Sequence, residues 1–259
     1  IDSCLLVTIA VKTLGKENVK VSFIYDRDSE KKSETKAKMV ADWLDLELDT
    51  IDISPVMKHK RVYFPLIMKV VPYSAKFNRF IQHTYQFINR ETPFKTSLKV
   101  GGDNLERNWL KKIMFNLTIR HIDRGFSERH IYRRQIMEQR AQSENLTFIG
   151  AANRSEFEVG WFVKGGIDDL PVQPMTGLYK TQVWQLAAYV NLPEEIQTQR
   201  PSPDMMLGIT DEFAIGHEYR RLDIVLDFIE HQQKNIPPEP MNIKNEEVED
   251  VRELMRLSE

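Results

Sequence analysis

Short apolar, β-branched runs alternate with amphipathic stretches along much of this chain, and that alternation restricts it to an α/β architecture. Val19-Lys-Val-Ser-Phe-Ile-Tyr25 has the composition and length of a strand. Ser33 to Leu48 places Ala37, Val40, Ala41 and Leu44 at helical spacing. A second strand, Leu48-Asp-Thr-Ile-Asp-Ile53, overlaps the end of that helix and is closed by Ser54-Pro55. A helix over about residues 127–143 leads into a third strand, Leu146-Thr-Phe-Ile-Gly150, and Thr181 to Val190 reads as another helix. Ahead of all of these, Leu5 to Leu14 is apolar enough for a buried helix, with Gly15 placed to end it. Apolar strands joined by helices imply an α/β fold with a doubly wound parallel sheet and helices on both faces.

Residues 56–126 break the rhythm. They are rich in Lys, Arg, Phe and Tyr, show helical periodicity near Phe77–Ile88 and Trp109–Ile119, and contain the turn Gly101-Gly102-Asp103. They are read as a helical insertion, either a lid or dimer surface or a structural insertion away from the site. Asn235-Ile-Pro-Pro-Glu-Pro240 is a proline-rich break before a charged helix over about 245–259. The whole of 1–259 is expected to form one domain.

The chain has 259 residues, enough for a sizeable core. Its net charge of -2 argues against nucleic acid as an obligatory partner. A lone cysteine, Cys4, leaves no disulfide framework and fits a reducing compartment such as the cytoplasm. No apolar run reaches the roughly 18 residues that would span a bilayer, so no membrane is expected as a partner.

Taken singly, the polar candidates are ambiguous. Asp2-Ser3 at the start of an apolar helix is either an anion-binding helix terminus or a plain cap. Glu156, in Asn153-Arg-Ser-Glu156 after the third strand, lies at the strand end where open α/β sheets bind ligands, but it also reads as a capping cluster. Lys180 precedes a helix and reaches either a phosphate or solvent. Pro201-Ser-Pro-Asp204 is on local chemistry a turn. The six histidines form no metal-ligand spacing, and no G-x-S-x-G elbow is present.

Together the motifs say more. The chain carries Gly150-Ala-Ala-Asn-Arg-Ser-Glu156, Gly160-Trp-Phe-Val-Lys164 and Pro174-Met-Thr-Gly-Leu-Tyr-Lys-Thr-Gln-Val183. Pro201-Ser-Pro-Asp-Met205 and Thr210-Asp-Glu-Phe-Ala-Ile-Gly216 follow, and the amino-terminal Ile1-Asp-Ser3 precedes them all. In this order they resemble the NAD synthetases, amide-forming N-type ATP-pyrophosphatases. Those read G-T-G-N-[KR]-S-E, then G-[YF]-F-T-K, then P-x-x-x-L-Y-K-T-Q-V, then P-[ST]-A-[DE]-L.

The resemblance implies an ammonia-dependent ligase that adenylates the nicotinate carboxylate of deamido-NAD with ATP and then forms the amide. It implies that Asp2 and Glu156 hold Mg2+, that Ser3, Lys180 and Ser202 contact ATP, and that Arg133 and Lys164 contact the dinucleotide. It assigns the catalytic roles to Lys180 and Asp2, and it suggests a homodimer. It also implies a Ser-Gly-Gly loop and a first strand ahead of Ile1, and a substrate-binding tail after Glu259.

Three positions depart from the family pattern. Ala151 stands for a threonine near ATP, Pro171 for a substrate-contacting aspartate that Asp168 or Asp169 would have to replace, and Ala214 for a glutamate. A paralogue acting on another carboxylate, or a nucleotide-binding homologue with weakened catalysis, therefore stays open beside the NAD synthetase reading.

Overall fold

A computed structural model describes residues 1–70, 72, 74–101, 109–231 and 243–259. The Gly102-Asp103 part of the expected turn and the proline-rich break at 235–240 lie outside the described residues. The elements run α1 (Asp2–Leu14), β1 (Val21–Tyr25), α2 (Lys31–Trp43), β2 (Leu48–Asp52), α3 (Ser54–His59), α4 (Leu66–Val70), α5 (Ala75–Asn89), α6 (Pro93–Gly101) and α7 (Trp109–Leu117). They continue with α8 (Ile119–Ser143), α9 (Arg154–Glu158), α10 (Lys180–Tyr189), α11 (Glu194–Gln197), α12 (Asp211–Ile215), α13 (Tyr219–Glu230) and α14 (Asn245–Ser258).

The amino-terminal pattern produces what its residues imply. α1 buries Leu5, Leu6 and Ala10 and ends at Gly15, whose φ of 85° is open to glycine and strained for other residues. β1 and β2 pair in parallel, Val21 opposite Leu48 through Tyr25 opposite Asp52. α2 stops at Trp43, short of the expected Leu48, because the chain turns through Asp45 at φ 53° to reach β2. Ser54-Pro55 ends the strand by starting α3, where a proline in the first turn has no hydrogen bond to lose.

The expected doubly wound sheet is formed only in part. Among the described residues the sheet has two strands. Residues 146–150 are extended but join no ladder; the Gly150 amide donates to the Val172 carbonyl instead, at 2.9 Å. Residues 147–150 line the same cavity as Val21 and Phe23 of β1. Helices make up most of the molecule.

Within 56–126 the periodicity gives α5 and α7, and α8 runs through residue 126 without a break. α5 is amphipathic in an unusual sense. Asn78, Gln82, Tyr85 and Asn89 are buried, whereas Phe80, Phe87 and Ile88 are exposed. The inward amides donate to backbone: Asn78 to the Leu207 carbonyl at 2.9 Å and Gln82 to the Phe213 carbonyl at 2.8 Å.

Two clusters hold the helices that carry the site. One packs Leu5, Leu6 and Val40 against Met175, Val183, Ala187, Leu192 and Ile196, joining α1 and α2 to α10 and α11. The other joins α13 and α14 through Leu222, Val225, Leu226, Val248, Val251 and Leu254. No helix among the described residues is long and apolar enough to cross a membrane.

Candidate active site

Four helix beginnings converge on one buried ammonium group. Lys180 is the first residue of α10, and its side chain is 1% exposed. Its Nζ lies 2.5 Å from Asp2 Oδ2 and 3.0 Å from Glu156 Oε1. Asp2 is the first residue of α1, and Glu156 lies in the first turn of α9.

The sequence fixes this geometry through caps. Asn153 and Glu156 form a reciprocal capping box: the Glu156 amide donates to Asn153 Oδ1 at 3.1 Å, and the Asn153 amide donates to Glu156 Oε2 at 3.3 Å. The Asn153 side-chain amide also donates to Asp2 Oδ1 at 2.9 Å, which ties α9 to α1. The start of α10 is held from the other side. Its Lys180 amide donates to Ser155 Oγ at 2.9 Å and its Thr181 amide to Asp223 Oδ2 at 2.8 Å, while the Ser155 hydroxyl donates to Asp223 Oδ1. Orphan helix donors are thereby satisfied in a dry environment.

A third carboxylate belongs to the cluster. Asp211 begins α12 and is buried; its Oδ2 accepts from the Tyr219 hydroxyl at 3.3 Å. The same hydroxyl lies 3.5 Å from Glu156 Oε1, and the Tyr219 ring centroid lies 5.0 Å from Lys180 Nζ.

The electrostatics follow from this crowding. Burial opposes the charge on Lys180, but attraction to Asp2, Glu156 and Asp211 outweighs it and holds the ammonium protonated above its ordinary range. Burial also acts against ionised Asp2, where the Lys180 attraction prevails and keeps the carboxyl below its usual value. Burial pushes Glu156 up to about 7 and Asp211 up to about 6, with repulsion from Asp2 adding to both. Three carboxylates against one ammonium leave two negative charges uncompensated when all are ionised.

The donor set fits a hard dication such as Mg2+, which takes carboxylate oxygens. A buried oxygen without a well-formed hydrogen bond among the described residues, Asp211 Oδ1, is consistent with a cluster short of positive charge.

A cavity of about 1440 Å³ opens over this cluster. Asp2, Ser3, Glu156, Ser202, Arg133 and Lys164 all line it. Lys180 does not line it, contrary to the solvent fate its local sequence allows; the side chain is buried against Asp2 and Glu156. Arg133, on α8, is buried, its Nε has no hydrogen-bond partner among the described residues, and Asp26, Asp204 and Asp168 attract it. Lys164 is exposed in the loop after α9. Ser202 Oγ donates to the Ile209 carbonyl at 3.2 Å and accepts from the Asp204 amide at 3.2 Å, a self-contained turn at the cavity rim.

Tyr219 carries no local signal of this role, and Asp211 lies inside the Thr210–Gly216 motif without a role assigned to it. Asn153 does, since a polar residue three before a glutamate is capping-box spacing.

Comparison with known proteins matches the chain to a family. The family model described as NAD synthase matches residues 120–259. The NH(3)-dependent NAD(+) synthetase of Coprothermobacter proteolyticus is 30% identical over 89% of this chain and 75% of its own length. That of Thermotoga maritima is 28% identical over 100% of this chain and 85% of its own. The chain belongs to the NAD synthase family.

Solved structures share the fold. An NMN synthetase from Francisella tularensis aligns with TM-score 0.64 at 20% identity, covering 99% of this chain and 80% of its own. An NH3-dependent NAD synthetase from Campylobacter jejuni aligns with TM-score 0.60 at 18% identity, covering 98% and 79%.

Proposed function

We propose that this protein is an ATP-dependent amide ligase that converts deamido-NAD and ammonia to NAD, with AMP and pyrophosphate as the other products. The observation that carries the reading is the buried Asp2–Lys180–Glu156 cluster at the floor of a large cavity, in a chain of this family. In the first step a nicotinate carboxylate oxygen attacks the α-phosphorus of ATP, and the bond to pyrophosphate breaks. In the second, ammonia attacks the acyl carbon, AMP leaves, and the nitrogen sheds a proton.

Asp2 and Glu156 would hold Mg2+, which neutralises charge on the phosphates when bound. Lys180 supplies a permanent positive charge beneath them, fixed before substrate arrives, so it needs no reorganisation during reaction. Ser3 and Ser202 flank the nucleotide at the cavity wall. Arg133 is a buried guanidinium with an unused donor, suited to an anionic group of the dinucleotide, and Lys164 adds a second positive charge at the rim. Burial on several sides keeps water from the activated acyl group. The whole chain acts as one unit, in which 56–126 contributes cavity wall through residues such as Asn78, Gln82 and Asp123.

Pro171 favours a second reading, amidation of a different carboxylate, because proline offers no acceptor where the family uses aspartate. Asp168 can take that place: it lines the cavity, with Oδ2 2.6 Å from His130 Nδ1. Asp169 does not line it, being held by the Gly165 amide at 2.8 Å.

Incubation of the full chain with ATP, Mg2+, ammonium and deamido-NAD should give NAD and AMP in equal amounts. Glu156→Gln and Lys180→Ala should each abolish pyrophosphate release. Turnover with another acid alone would support the second reading, and binding of ATP without turnover would leave a nucleotide-binding homologue.

We further propose a cytoplasmic homodimer. Phe77, Phe80, Phe87 and Ile88 form one exposed stripe on α5 with the 3–4 spacing of a helix-packing seam. A second copy covers such a face without exposing new apolar surface. Phe80→Glu with Phe87→Glu should give a monomer by light scattering; an unchanged mass would remove α5 from the interface.

A further inference from the structure

Asp211 is a buried carboxylate with no assigned task. It is 5% exposed, it begins a short helix capped by Thr210, and it offers Oδ2 to the Tyr219 hydroxyl. Tyr219 links it to Glu156, and its charge is one of those that stabilise the Lys180 ammonium. The cluster therefore holds more anions than its single cation needs.

The proposed reading, on which this inference rests, gives Asp2 and Glu156 to a metal ion. That creates a conflict, because both currently hold Lys180. When a dication draws their oxygens, a lysine that is 1% exposed cannot retreat to water. A buried ammonium needs another anion close by. Asp211 is placed for it: it is buried, it is attracted to Lys180, and Tyr219 bridges the group, its hydroxyl 3.3 Å from Asp211 Oδ2 and 3.5 Å from Glu156 Oε1 and its ring 5.0 Å from the ammonium.

We propose that Asp211 is a positioning residue, the alternate anchor that holds Lys180 when metal occupies Asp2 and Glu156. It keeps the ammonium within the buried cluster and stops it competing with the metal for their oxygens. Asp211 acts through Lys180 and need not touch substrate or metal. Neutralising Asp211 leaves Lys180 bound to Asp2 and Glu156, so the metal must then displace it without help.

The test is a double-mutant cycle on Mn2+ binding to the full chain, read by electron paramagnetic resonance in the absence of nucleotide. Asp211→Asn should weaken Mn2+ binding about tenfold with Lys180 present, and by less than about threefold in the Lys180→Met background. Lys180→Met alone should tighten binding, and Asp211→Glu should restore it. Should Asp211→Asn fail to fold, Asp211→Ser, which also removes the charge, should show the same dependence on Lys180.

Equal weakening in both backgrounds would overturn the proposal, since Asp211 would then act directly on the metal. A change in melting temperature with Mn2+ affinity unaltered would also overturn it, leaving a structural role. Failure of the metal reading is separately visible: wild-type protein and Glu156→Gln would bind Mn2+ alike, and both proposals would fall.

Discussion

Asp123 offers a direct measurement of what the interior does to a charge. It sits on α8, lines the cavity, accepts a hydrogen bond from the Ser97 hydroxyl, and has no cation beside it among the described residues. Burial pushes its carboxyl from 3.8 up to about 6, with the Ser97 bond opposing only part of the effect. Each tenfold change in proton affinity is about 1.4 kcal/mol, so the ionised form costs the native state about 3 kcal/mol.

The sign follows from proton counts. Between about pH 4 and 6 the native state binds more protons than the unfolded chain, so this group's contribution to stability falls as pH rises. It is fully present below the unfolded value of 3.8 and lost once pH passes about 6. Asp123→Asn removes the titration and keeps the shape. Urea unfolding should find the variant close to wild type at pH 4 and more stable by up to about 3 kcal/mol at pH 8. Every other titrating group is common to both proteins and cancels in the difference. A variant whose stability difference is the same at both pH values, or that is less stable at pH 8, would refute the reasoning.

Other perturbations test the scaffold of the site. Arg129 is fully buried and pairs with Asp26 and Asp28, themselves buried; Arg129→Met leaves Asp26 without its cation and Asp28 with Arg27 alone, and should cost about 3–5 kcal/mol in urea unfolding. Ser155→Ala leaves the Lys180 amide and one Asp223 oxygen without their partner, and should cost about 1–3 kcal/mol by the same assay, with lowered pyrophosphate release because α10 loses its fixed start.

Much of the amino-terminal half was legible because local chemistry decides it. The Leu5–Leu14 helix, its glycine end and the pairing of β1 with β2 follow from composition, length and spacing. The strand expected at 146–150 has the right residues but lacks a neighbour; a ladder requires a second backbone edge, which no property of Leu146-Thr-Phe-Ile-Gly150 supplies. α5 was placed correctly as a helix, yet its periodicity points the phenylalanines toward a core. They face outward because Asn78 and Gln82 find backbone carbonyls at 207 and 213, and those partners are far away in sequence. Asp2, Glu156 and Lys180 were found through ordered motifs, whereas Asp211 and Tyr219 join them only through folding.

Lys180 breaks a local rule that its three acidic partners obey. Helix beginnings carry positive partial charge and favour carboxylates, so Asp2, Glu156 and Asp211 in the first turns of α1, α9 and α12 are each placed where their own helices stabilise them. A lysine as the first residue of α10 meets the same field with the wrong sign, and it is buried as well. Neither helix propensity nor core packing gives a reason for a cation there. The three carboxylates do, and they could have been spared by an apolar residue at 180. A chain that sets a buried ammonium against the dipole of its own helix, and gathers three acids to hold it, bears a local cost that folding alone does not require. That conflict is the physical mark of a site, and it singles out Lys180 without reference to any relative.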